Sequence, residues 1–137
     1  MATFDRFEEI FSWQEARKLN LSIGKLIADK RFENNFRLIN HIKGSAGSIM
    51  DNIAEGFERG GNREFIQFLY IAKGSCGEFR SQVYRALDRD YIVQEEFDNF
   101  SYHAMNVASL IHKLITYLEN SPLKGVRYKD RESSKTT

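Results

Sequence analysis

The sequence predicts an all-α fold, an antiparallel up-down-up-down four-helix bundle. Three observations predict it. Apolar residues recur in alternating steps of three and four along four long segments, the spacing of a helix with one buried face. The single proline among 137 residues, Pro122, falls after the last of those segments, where prolines commonly follow helices. The breaks between segments are only a few residues long, which makes consecutive helices antiparallel neighbours.

The first segment opens on a capping box, Ser12 with Glu15, and stacks Trp13, Ala16, Leu19, Ile23 and Leu26. Phe7, Ile10 and Phe11 extend it backwards as an amphipathic lead-in from Asp5, and it should end near Lys30 and Arg31. The second runs from about Phe36 to Arg59 and carries Ile39, Ile42, Ala46, Ile49, Ile53 and Phe57. The third follows Asn62 as N-cap and carries Phe65, Leu69, Ala72, Cys76, Phe79, Val83 and Ala86. The fourth begins after Asp88-Arg89-Asp90, with Phe97, Phe100, Ala104, Val107, Ile111, Leu114 and Leu118 as its stripe. These stripes repeat about every 3.5 residues, the seam of near-parallel helix packing.

Six glycines inside these helices, at positions 24, 44, 47, 56, 74 and 77, demand a reason. Each costs about 1 kcal/mol relative to alanine, so together about 4–6 kcal/mol. Two similar segments, Lys43-Gly-Ser-Ala-Gly47 and Lys73-Gly-Ser-Cys-Gly77, sit on successive helices. They read as the closest crossing of helices two and three, or as a flat surface for another subunit.

Residues 1–122 form one bundle domain in this reading, and 123–137 a polar basic tail without apolar periodicity, expected to be disordered. The tail sets Lys124, Arg127, Lys129, Arg131 and Lys135 against Asp130 and Glu132, while the whole chain carries only +1. The lone Cys76 excludes an internal disulfide and a multi-thiolate metal site. With no signal-like opening and no apolar run of about 20 residues, a cytoplasmic protein away from membranes is expected.

Catalytic patterns do not assemble. His41, His103 and His112 lack metal spacing, and the Glu-x-x-His of di-iron bundles is missing. Ser22-Ile-Gly-Lys25 matches a Ser-x-x-Lys pair without its companion motifs. The two Lys-Gly-Ser triplets lack the order of a phosphate loop. Cys76 lies on a core stripe, as a small apolar residue would. No metal, no cofactor and no enzyme is the expectation.

The outer flank of helix three carries more. Arg63, Ile66, Tyr70, Lys73, Gly77, Arg80 and Tyr84 fall within about a 100° arc, away from the core stripe. Tyrosines with arginine and lysine suit a subunit interface or nucleic acid, where bases stack and phosphates pair. An ordinary solvated face remains a third reading. Glu55 and Arg59, four apart with the acid first, form a favourable helix-surface pair.

The wording Ser48-Ile-Met-Asp-Asn-Ile-Ala-Glu-Gly56, then Arg59, then Glu64-Phe-Ile-Gln-Phe-Leu-Tyr-Ile-Ala-Lys-Gly-Ser75, resembles one family. It is that of the four-helix-bundle proteins encoded in intervening sequences of bacterial 23S ribosomal RNA genes. The resemblance implies a compact bundle that assembles as a homopentamer, with Asn52, Glu55 and Gly56 as its structural signature. A similar fold serves as the accessory protein of diversity-generating retroelements, which implies RNA, DNA or a reverse transcriptase as possible partners. Where the family tends to carry an arginine pair, this chain has His41-Ile-Lys43-Gly44-Ser45. The expectation is therefore a non-enzymatic homo-oligomer associated with RNA or DNA, contacting it through Arg63, Tyr70, Lys73, Arg80 and Tyr84, with Lys43 and Arg59 secondary. The alternative is a protein-interaction scaffold with no nucleic-acid affinity.

Overall fold

Each apolar stripe becomes a helix close to where the sequence places it. In the computed structural model, which describes residues 4–121, these are α1 (Phe11–Ala28), α2 (Phe36–Glu58), α3 (Asn62–Asp88) and α4 (Gln94–Glu119). The basic segment 123–137 lies outside the described residues. Every helix packs on its two neighbours in a ring, α1 on α2, α2 on α3, α3 on α4 and α4 on α1. Neighbours run antiparallel. Ser45 meets Gln82 and Ser48 meets Ser75, so partner numbers fall along α3 as they rise along α2. Among the described residues there is no strand, and no helix is long and apolar enough to cross a membrane.

The predicted stripe of α3 is buried throughout, from Phe65 to Ala86. So is that of α2, except that Leu38 replaces half-buried Ile39 and that Ser45 and Gly56 join it. Phe57, Phe65 and Phe79 are fully enclosed, each contributing about 1.5–3 kcal/mol by leaving water. In α4, Ile115 and Ser101 are buried while Phe100 and Leu114 stand at the margin. Trp13 and Leu26 of α1 are also marginal, and Ser12 takes an inward position in their place.

Helix starts depart from the expected caps. The Ser12–Glu15 capping box does not form: α1 starts at Phe11 after a 3-10 turn at Phe7–Glu9, with Ile10 at the N-cap position. Ser12 Oγ lies buried without a hydrogen-bond partner. Glu15 turns instead to Lys18 and His103, at 2.9 and 3.0 Å. At α3 the N-cap is Gly61, and Asn62 is the buried first helical residue. Helix α1 stops at Ala28, because the chain turns left-handed at Lys30 (φ 60°).

That turn is held by a latch between two loops at the same end of the bundle. Phe32 is buried with its ring 5.2 Å from that of Tyr91. Arg31 grips both carboxylate oxygens of Glu96, and its Nε donates to the Tyr91 carbonyl at 3.3 Å. Glu96 also accepts from the Val93 backbone N–H at 2.9 Å, capping α4. Arg31 therefore holds Glu96 below the ordinary carboxylate value of 4.5, against a smaller opposing effect of burial. The bond from Lys18 is the main cause of the same lowering at Glu15, ahead of His103.

The glycines overturn one expectation. Gly44, Gly47, Gly74 and Gly77 have no atom within 4 Å of where a Cβ would sit, so they do not serve close packing of α2 against α3. Gly56 does: its Cβ would stand 2.6 Å from Phe68 Cβ and 3.1 Å from the Phe65 ring. Gly60 completes the turn with φ 91°, a left-handed conformation that glycine adopts without steric cost.

In urea titrations, Gly56→Ala should lose about 1–3 kcal/mol to overpacking. Gly44→Ala and Gly74→Ala should each gain up to about 1 kcal/mol within a single bundle, from helix propensity alone. A depressed carboxyl pKa contributes stability above the unfolded value and loses it as pH falls through the folded one. Unfolding free energy should therefore decline as pH drops below about 4.5, and the decline should be shallower in Arg31→Gln.

Candidate functional site

Helix α3 leaves its predicted arc exposed at Arg63, Tyr70, Gly77 and Tyr84, and the stretch from Lys73 to Tyr84 is flanked by α4. Arg80 Nε donates to Ser101 Oγ at 3.2 Å, and Lys73 Nζ donates to His112 Nδ1 at 3.2 Å. Tyr84 lies on Phe97 with ring centroids 4.3 Å apart and remains 50% exposed. Ile66 packs against the core. Between the two helices runs an open groove of about 560 Å³. Its floor is Cys76, Gly77 and Ala108, and its walls carry Lys73, Arg80, His112 and Lys113.

No carboxylate lines this groove. Between Asp98 and Glu119, α4 has none at all. Among the described residues, Lys73, Arg80 and Lys113 make no ion pair. Cations gathered without counter-charge repel one another, and a bound anion relieves that repulsion. A second groove, between α1 and α4, makes the contrast: there the carboxylates of Asp29 and Glu96 share the lining with Lys25 and His103.

Other predicted contact residues lie elsewhere. Arg63 is exposed in the first turn of α3, and Tyr70 stands one turn beyond Lys73, 49% exposed. Lys43 is exposed on α2, off the groove. Arg59 is engaged at the α2–α3 turn. It bonds Glu55 at 3.1 Å and Glu64 at 3.5 Å, and covers the Phe68 ring at 5.2 Å.

Of the expected signature, Gly56 packs on α3, Asn52 braces Ser48, which meets α3, and Glu55 stays on the surface with Arg59. Asn52 Nδ2 donates to the Ser48 carbonyl and hydroxyl at 2.8 and 2.9 Å, and Ser48 Oγ meets Ser75 Oγ at 2.9 Å. Ser75 donates onward to the Ile71 carbonyl at 3.1 Å. Asn52 is thus a tie between turns, Glu55 a partner of Arg59, and Gly56 a point of close approach. Buried Ser45 adds a 2.6 Å bond to Gln82.

The histidines pair singly, His103 with Glu15 and His41 with Arg85, and among the described residues no three ligating groups gather for a metal. His112 and Lys113 were missed by sequence reasoning. Nothing in their own spacing marks them, since only the fold brings them to Lys73, 39 residues away in the case of His112.

The 23S rRNA-intervening sequence protein model matches residues 8–113, which takes in all of α1, α2 and α3 and most of α4. The chain belongs to that family. A solved structure from Bacteroides thetaiotaomicron VPI-5482, described as a protein of unknown function from the S23 ribosomal protein family, shares the fold. It aligns with a TM-score of 0.68 at 20% identity, over 76% of this chain and 97% of that one. No curated protein matches. For this member of the intervening-sequence family, the Asn52–Ser48–Ser75 tie gives the signature segment a structural role.

Burial pushes the Cys76 thiol up to about 12, leaving almost no thiolate at neutral pH. With an aromatic disulfide reagent at pH 8, the native protein should react only as fast as it opens. Full reaction within seconds, without denaturant, would place Cys76 in water.

Proposed function

We propose that this chain is a non-enzymatic, homo-oligomeric helical bundle that associates with RNA or DNA through the α3–α4 groove. The observation that carries the reading is the convergence of Lys73, Arg80, His112 and Lys113 on walls without a carboxylate. Phosphates spaced along a polynucleotide suit such a strip, and the chain's modest net charge of +1 is then less relevant than its distribution.

Self-association has its own support. Gly44 and Gly74 are exposed, cost helix propensity, and meet nothing in their own bundle. Close approach of a second chain would give those bare stretches a purpose. The same observation favours the alternative of a protein-interaction scaffold. Symmetry would join both readings, since copies arranged in a ring multiply one groove into a continuous cationic surface.

Anisotropy titrations with labelled RNA and DNA across salt test the charge-driven half. Affinity should fall steeply as salt rises. The triple variant Lys73→Gln/Arg80→Gln/Lys113→Gln should bind at least about tenfold more weakly and lose about two units of the log–log salt slope. No binding by the wild type at low salt, or an unchanged triple variant, would leave the scaffold reading alone. Sedimentation should give several chains' mass, five by the family resemblance; a single 16.0 kDa species would remove the oligomer.

A further inference from the structure

Aromatic side chains around the groove narrow the class of nucleic acid, on the premise that the groove binds one. Along α3 the order is Tyr70, Lys73, Gly77, Arg80, Tyr84, one face of the helix with a tyrosine at either end. The two rings are 14 residues apart, about 21 Å of helix. Both are half exposed, and Tyr84 is braced from behind by Phe97. Across the groove α4 adds Tyr102, 67% exposed and one turn before the wall residue Met105.

Tyr70 and Tyr84 lie about one turn outside the groove lining, on the α3 face that carries Lys73 and Arg80. Exposed rings so placed can stack only on bases whose faces are open. In a duplex those faces are covered by neighbouring pairs, and only the outer phosphates would reach Lys73 and Lys113. An unpaired strand offers both phosphate and base face along one narrow track. Gly77 supports the same conclusion. It sits midway between Lys73 and Arg80 on the groove floor, exposed, with nothing within 4 Å of a Cβ. Its missing side chain leaves depth between the cations where a ribose or base can lie.

We propose that the α3–α4 groove takes a single-stranded polynucleotide, with phosphates on its cationic walls and unpaired bases on Tyr70, Tyr84 and Tyr102. The span between the tyrosines fits a short run of nucleotides, on the order of four. Ribose and deoxyribose strands share this chemistry, and the test separates them.

The test measures binding of the full chain to single-stranded RNA, to single-stranded DNA of the same sequence, and to the matching duplex at one salt concentration. Single strands should bind at least about tenfold more tightly than the duplex. Tyr70→Leu/Tyr84→Leu should remove most of that preference while leaving duplex affinity unchanged. Gly77→Leu should also weaken single-strand binding by filling the floor; it raises helix propensity, so loss of fold does not explain a loss of binding. Equal affinity for strand and duplex, or full preference retained in both variants, overturns the single-strand assignment. The charge-driven association then still stands if the triple cation variant loses affinity, whereas failure of every polynucleotide to bind overturns both. A ribose-only or deoxyribose-only preference identifies the natural strand.

Discussion

The closeness of α2 and α3 at Gly56 is the constraint on which the rest of the structure depends. There is no room for a methyl group between that backbone and Phe68, so the two helices meet almost in contact at the turn. From that point the Asn52–Ser48–Ser75 tie and the Ser45–Gln82 bond fix their register along the next several turns. Polar atoms inside an apolar interface tolerate few alternatives, because a slip leaves each of them unpaired. Once α3 is set against α2 in this register, its Phe65–Ala86 stripe points inward. Its Lys73–Arg80 flank is then delivered to α4.

A cationic groove follows from this placement. The cations of α3 and α4 come within reach of each other only because the two stripes share a core. Their mutual repulsion is a modest cost on a solvated surface. Several other charged groups are arranged differently. Arg31 and Glu96 latch two loops, Glu15 joins α1 to α4 through His103, and Arg59 closes the α2–α3 turn. Those contacts maintain the scaffold; the lining of the α3–α4 groove holds no carboxylate.

Much of this was legible in the sequence, for identifiable reasons. The stripes of α2 and α3 could be read because long amphipathic helices bury one face at a fixed period, and every predicted α3 position is buried. Caps were less legible: Ser12 and Asn62 have the right side chains, yet the backbone enters α1 two residues earlier and α3 one residue earlier, and both residues face inward. A local pattern cannot register that tertiary demand. The same limit explains Phe32 and Tyr91, buried in loops with no period to betray them. Glycine spacing pointed to α2–α3 packing, but only Gly56 serves it, since the exposed and the crowded glycine look alike in one dimension. A helical wheel placed the Tyr70–Tyr84 arc off the core. It could not say that α4 flanks it, so His112 and Lys113 stayed invisible.

Protection of individual lysines from acetylation, read by mass spectrometry with and without bound polynucleotide, tests the central claim most directly. If the α3–α4 flank is the contact surface, Lys73 and Lys113 should be protected together, while Lys25 and Lys43 stay as reactive as in the free protein. Protection of Lys25 and Lys43 with Lys73 and Lys113 unchanged would contradict the account.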